Sequence, residues 1–251
     1  MMKKTLLSFV VLLAAMAVQA QTVMKVSVSN PLSVSRNAVP VTIQLDTPVR
    51  SALVVDSKGV ELPCQLDDID SDGRNDCLSF IVPEIGGKKS LSYSVTLSES
   101  GQPRSYQPQV YAEMLLTNKK IKSTNKQDLY ISSLTVDNGT NPYWMLHHHG
   151  PAFENDMVAY RIYFDERQTV DIYGKYKRGL ELRDTQFYPD SDQKAAGYGD
   201  DVLWVGKTFG VGAIRGWNKG SMQMLQDVES RTLAVVARGP LRTIVKVVDK
   251  G

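Results

Sequence analysis

All three histidines of the 251-residue chain stand side by side, as His147, His148 and His149. Imidazole changes charge near neutral pH, which suits proton transfer, and in its neutral form it ligates transition metals. If residues 143–149 are extended, His147 and His149 face one way and His148 the other. Two imidazoles at that spacing chelate one metal, with Glu154 or Asp156 adding oxygen. Two other readings stay open: acid–base or sugar-binding work in a cleft, or a loop made by Gly150-Pro151 in which the histidines do nothing.

The residues that follow favour a cleft. FENDMVAYRIYFDE (153–166) puts Glu154, Asn155 and Asp156 at the entry of a strand. On that strand Tyr160, Ile162 and Phe164 face one side, and Arg161 and Tyr163 the other. A mixed polar and aromatic face suits saccharides: rings stack on sugar faces, carboxylates and amides hold hydroxyls, and Arg or Lys neutralises a uronate. TVDIYGKYKRGLEL (169–182) repeats the pattern with Asp171, Tyr173, Lys175 and Lys177 on one face. GYGDDVLWVGKTFGVGAIRGW (197–217) adds Asp200, Asp201 and Trp204. Trp204 and Trp217 are platforms or core, with core the commoner fate. Gly210, Gly212 and Gly216 open no helix, so they read as bulges or close backbone approaches, not a phosphate loop.

A second constellation is the acidic loop DDIDSDGRND (67–76). Asp68, Asp70 and Asp72 alternate before Gly73, Asp76 is ninth from Asp68, and Arg74 offers its carbonyl at the seventh position. Alternate oxygens and a turning glycine are how a short segment wraps Ca²⁺. The twelfth position is Ser79 and no helices flank the loop, so this is a calcium-type hairpin of structural role, not an EF-hand. The alternative is a solvated turn. Cys64 and Cys77 flank the loop, and a cross-strand disulfide and two buried thiols are equally compatible with the sequence.

The elements that carry these residues are strands. From 23 to 97 the chain alternates apolar and polar positions, rich in Val, Ile, Thr and Tyr, between turn signals. This predicts an all-β protein with a small antiparallel N-terminal β-sandwich over 21–98, a proline-bearing linker over 99–109 and a second β domain over 110–251. DVLWVG, VGAIRGW, TLAVVARG and LRTIVKVVD are expected strands of the latter, and the Val-rich last strand suggests a chain cut short or an edge covered by a partner. Residues 1–20 read as a cleaved signal peptide: Lys3 and Lys4, then an apolar run from Leu6 to Val18 too short to span a membrane, with no lipobox cysteine. A periplasmic or secreted protein without a membrane span is expected. Without the leader, Lys plus Arg falls by two from 29 to 27, equal to the 27 Asp plus Glu, which argues against a nucleic-acid partner. Oligomeric state is not legible.

MLHHHGPAFENDMVAYRIYFDERQTVDIYGK, LELRDTQFYPD, YGDDVLWVGKTFGVGA and VVARGPLRT together resemble the secreted bacterial family called domain of unknown function 4861, and QLDDIDSDGRNDCLSFIV resembles its N-terminal region. The resemblance covers nearly all of the chain after the leader. It implies a galactose-mutarotase-like β-supersandwich, incomplete here because members run longer, and a place in the breakdown of pectin-like, uronate-containing polysaccharides. The expected function is a lyase or glycoside hydrolase on such oligosaccharides. The alternatives are a non-catalytic glycan-binding protein or a mutarotase-type epimerase. In a lyase, Arg161 or Lys175 neutralises the uronate, and His148, His149 or Tyr163 moves the proton. In a hydrolase, Glu154 pairs with Asp156 or Asp200. His147, Asn155, Asp156, Lys175, Asp200 and Trp204 are the expected substrate contacts, and no organic cofactor is expected.

Overall fold

The computed structural model describes residues 21–117, 129–185, 187–206 and 208–251; the expected leader lies outside them. Period-2 alternation becomes seven strands in the first part: β1 (Gln21–Ser29), β2 (Arg36–Gln44), β3 (Ser51–Asp56), β4 (Glu61–Leu62), β5 (Cys64–Asp67), β6 (Cys77–Ile85) and β7 (Ser90–Ser98). They form two antiparallel sheets, ordered β1-β7-β3-β4 and β2-β6-β5. Val54, Val95, Leu78, Phe80 and Val82 are buried in one core, where Tyr93 tilts onto Phe80 with ring centroids 5.3 Å apart. Each such side chain contributes about 1.5–3 kcal/mol on leaving water.

The β5–β6 register places Cys64 opposite Phe80 and Cys77 opposite Asp67. Three strand residues separate the cysteines along the ladder, about 10 Å, beyond the roughly 7 Å Cα separation that a disulfide tolerates. Both are free, buried thiols, so the cross-strand bridge is excluded. Arg242 Nη2 donates to Cys77 Sγ at 2.8 Å. Burial pushes both thiols above their ordinary pKa. A thiol reagent should therefore find two reactive groups only after unfolding, and dithiothreitol should leave the melting temperature unchanged.

The second part contains β8 (Val110–Glu113), β9 (Ser133–Asp137), β10 (Ala152–Asn155), β11 (Val158–Ile162), β12 (Thr169–Gly174), helix α1 (Leu182–Thr185), helix α2 (Ser191–Ala195), β13 (Asp200–Asp201), β14 (Gly212–Ala213), β15 (Gly216–Asn218), β16 (Ser221–Gln223), β17 (Ser230–Arg238) and β18 (Thr243–Lys250). One sheet runs β13-β12-β11-β10-β8, with β14 added to β12; another runs β18-β17-β9; β15 and β16 make a hairpin. Met114, Leu146, Phe164, Leu233 and Val235 share one core, and Ala152, Ala159, Tyr173, Leu182 and Phe187 another. Among the described residues the protein is all-β apart from two short α-helices and the 3-10 turns Pro142–Trp144 and His147–His149. The second α-helix carries a capping box between Asp190 and Gln193. DVLWVG and VGAIRGW, expected as full strands, pair only over Asp200–Asp201 and over the two short stretches Gly212–Ala213 and Gly216–Asn218. Gly210 is a true close approach: a Cβ there would meet the Val170 carbonyl at 2.1 Å.

Residues 99–109 form no strand. The two parts meet instead at the turn between β17 and β18. Gln65 Oε1 accepts from the Leu241 and Arg242 amides at 2.9 and 3.0 Å, and Arg242 Nε donates to the Asp67 carboxylate at 2.7 Å. Among the described residues no helix is long and apolar enough to cross a membrane.

Candidate functional site

The three histidines are not extended. Gly150 presses against β11, where a Cβ would meet the Ile162 carbonyl at 1.8 Å. The preceding residues close into a 3-10 turn in which His148 and His149 take left-handed backbone angles, φ 58° and 61°. Such angles are costly for a side chain with a Cβ and recur at functional sites. The turn sends the imidazoles different ways. Among the described residues, no histidine joins a group of three or more donors spaced for one ion, so the shared metal site between His147 and His149 is not formed.

His148 points inward. Its Nε2 lies 2.9 Å from Glu113 Oε1, both groups being buried, and Tyr111 donates to the other Glu113 oxygen at 2.8 Å. His149 lines a more open wall. Its Nδ1 sits 3.0 Å from the Tyr143 carbonyl, which only accepts, so Nδ1 carries the proton and Nε2 keeps its lone pair. The ring stacks on Tyr143 at 3.7 Å, and Trp144 stands edge-on to both. Burial, aided by the charges of Arg161 and Arg167 and the neighbouring His148, and opposed by the Tyr143 carbonyl, lowers the His149 pKa. His149 is thus a neutral base at pH 7. His147 is half-buried, its ring 6.0 Å from that of His148.

Alternation along β11 turns Arg161 inward, where it becomes the hub of the site. Nε and Nη2 both donate to Asp171 Oδ2, at 2.9 and 2.5 Å; Nη2 also reaches Tyr163 Oη at 2.9 Å and Asp201 Oδ2 at 3.0 Å, and Nη1 bonds Tyr188 Oη. The guanidinium lies over the rings of Tyr163, Phe187 and Tyr188. Asp171 is fully buried, whereas the Asp201 side chain keeps about a quarter of its surface, at 23 %. Burial first and the neighbouring Asp171 second raise the Asp201 pKa, against the pull of Arg161. Burial also raises that of Tyr163. Arg167, held by Asp165, covers the rings of Tyr143 and Tyr163. A base whose protonation is disfavoured and an acid whose ionisation is disfavoured are therefore drawn to one cluster, a pairing that acid–base chemistry uses.

Other expected site residues lie elsewhere. Glu154 and Lys175 form an ion pair in the interior, and Glu154 also accepts the amides of Glu181 and Leu182, each at 2.9 Å. Both brace the loop before α1 and neither is free for a substrate. Asn155 Oδ1 caps the β10–β11 turn through the Met157 and Val158 amides. Asp156 pairs with Arg178 on the surface, and Asp200 with Lys194. Lys177 donates to the Ala196 carbonyl. Trp204 and Trp217 are 94 % and 76 % exposed, so neither is core.

In the acidic loop, Asp68, Asp70, Asp72 and Asp76 present carboxylate oxygens within 4.8 Å of one another. Asp68 also accepts the Asp72 and Gly73 amides, Asp76 those of Ile69 and Asp70, and the Arg74 amide donates to Asp72. The donor set fits one Ca²⁺, with oxygens to spare.

Sequence reasoning did not reach Tyr111, Glu113, Tyr143, Arg167 or Tyr188. Their only signal was residue type, because the sheet and the turn that gather them span more than 70 residues. A family model described as "Domain of unknown function (DUF4861)" matches residues 28–251, and no curated protein matches the chain.

Proposed function

The chain belongs to the DUF4861 family, whose description assigns no chemistry, and from the site itself we propose an exported enzyme that cleaves uronic-acid-containing oligosaccharides by β-elimination. The observation that carries this reading is His149: a neutral imidazole with Nε2 unbonded among the described residues, set in an aromatic wall with Tyr143 and Tyr163, the latter bonded to the Arg161 that also holds Asp201. Trp144 and Tyr188, 71 % and 54 % exposed, supply rings for sugar stacking. The carboxylates a hydrolase would use are engaged elsewhere: Glu154 by Lys175, Asp156 by Arg178, Asp200 by Lys194. Export rests on the apolar run from Leu6 to Val18.

In the reaction the uronate carboxylate accepts a hydrogen bond from the Asp201 carboxyl, and Arg161 behind it offsets the charge. His149 Nε2 takes the proton on C5. The C5–H electron pair forms the C4–C5 double bond and the C4–O bond breaks. Tyr188 accepts a bond from Arg161, so its own hydrogen is free for the leaving oxygen.

The test incubates the protein with pectic and glucuronate-bearing oligosaccharides while recording unsaturated-uronate absorbance and reducing ends. New absorbance supports elimination. Reducing ends without absorbance mean hydrolysis, and anomer exchange alone, seen by NMR, means an epimerase. Binding without any turnover means a glycan-binding protein.

We also propose that the 68–76 loop holds a structural Ca²⁺. Adding calcium at a hundred times its dissociation constant should stabilise the fold by about 2.7 kcal/mol, read as a raised melting temperature that a chelator reverses. Asp72→Asn should remove most of that gain, and an unchanged melting curve would show a solvated turn.

A further inference from the structure

All three tryptophans of the chain are exposed, although an indole is among the side chains a fold gains most by burying. Trp144 stands edge-on to His149, beside the catalytic cluster. The other two lie outside that cluster, on loops fastened to it through Arg167, whose guanidinium covers the Tyr143 and Tyr163 rings. Arg167 Nη1 donates to the Gly206 carbonyl at 2.8 Å. The Trp204 indole folds over Gly206, where a Cβ would meet its Nε1 at 3.4 Å. The Arg167 carbonyl in turn accepts from Arg215, two residues before Trp217. Trp217 sits in the β15–β16 hairpin opposite Met222. Left-handed angles at Lys219 and Gly220, φ 47° and 78°, close that hairpin in a tight two-residue turn. No ring contact or hydrogen bond engages either indole among the described residues.

The segment that carries them, 202–225, contains no Asp or Glu. Arg215 is spent on bracing the hairpin, through the Arg167 and Ile214 carbonyls and the Phe209 ring. Lys219, exposed at the hairpin tip, has no partner among the described residues. Free rings in a segment without acids suit sugar units that carry carboxylates, since rings stack on sugar faces and a cation attracts the charge. A second copy docked by the same face would instead set basic segment against basic segment. We propose that Trp204 and Trp217 are stacking platforms of an outer strip, which holds units of an acidic glycan chain beyond the one being cleaved. The inference rests on the acidic-saccharide reading above, and the ligand chemistry is a carboxylated sugar chain.

The experiment compares wild type with Trp204→Ala/Trp217→Ala and Trp204→Tyr/Trp217→Tyr. A galacturonate hexamer and an uncharged galactose hexamer are titrated by calorimetry, and turnover of the galacturonate hexamer and dimer is measured. The alanine variant should bind the galacturonate hexamer about tenfold more weakly and show a raised KM for it, with little of that loss for the dimer. The tyrosine variant keeps a ring at each place and should retain most of the affinity, which separates stacking from a packing defect. Unchanged hexamer binding in the alanine variant, equal losses for dimer and hexamer, or a galactose hexamer held as tightly as the galacturonate one would each overturn the strip. So would a wild-type dimer in gel filtration that the alanine variant dissociates, which would assign the face to a second copy. Loss of hexamer binding on substitution, in a protein that turns over neither substrate, would keep the strip and remove the catalytic reading.

Discussion

Arg161→Met is expected to cost about 3–5 kcal/mol of folding stability, because it leaves a buried carboxylate without its counter-charge. Asp171 is wholly inaccessible and Arg161 is 2 % exposed, so water cannot take over the lost partner. A domain of this length melts roughly 2–4 °C lower for each kcal/mol lost, and the shift should be plain in both thermal and urea unfolding. Arg161→Lys should recover only part, since an ammonium cannot reach Asp171, Asp201 and the two tyrosine hydroxyls with one planar fork. Arg161→Met with Asp171→Asn should be more stable than Arg161→Met alone, as the stranded charge is gone. A loss under about 1 kcal/mol for the single variant would mean that Asp171 and Asp201 relax into solvent.

The larger effect on rate belongs to His149. His149→Ala should slow turnover by about 10²–10⁴-fold, the usual worth of a positioned general base, with KM changed far less. The pH profile supplies an independent reading. The rate falls in acid as His149 takes a proton, and because its pKa lies below 6.5 that limb sits lower than a free imidazole would put it. The rate falls in alkali as Asp201 loses the proton it holds above its ordinary 3.8. The acid limb therefore lies below 6.5 and the alkaline limb above 3.8. Asp201→Asn, which keeps a hydrogen-bond donor but cannot ionise, should remove the alkaline limb and leave the acid one. A profile with both limbs intact in His149→Ala would exclude this residue as the base.

Alternation made much of this legible. The period-2 pattern placed Arg161 and Tyr163 on the face opposite Phe164, and Phe164 is indeed core while Arg161 gathers polar partners. The same rule grouped Asp171 with Tyr173. What alternation does not carry is register between distant strands: β12 reaches Asp201 through the β12–β13 pairing of Tyr173 with Asp201, so Asp201 and not Asp200 meets Arg161. Nor does it see turns. The sequence left His147–His149 open between an extended segment and a loop made by Gly150-Pro151; the close approach of Gly150 to the Ile162 carbonyl accompanies a left-handed turn. Glu154 and Lys175 carry types a catalytic site would use, and only the buried amides of Glu181 and Leu182 identify their bracing role.

The grip of Arg242 on Gln65, Asp67 and Cys77 makes the irregular 99–109 segment expendable as a tether. A protease that cuts there would yield two fragments on a denaturing gel but a single particle by gel filtration, and heating should melt both halves together. A nick in that segment would therefore leave the molecule in one piece.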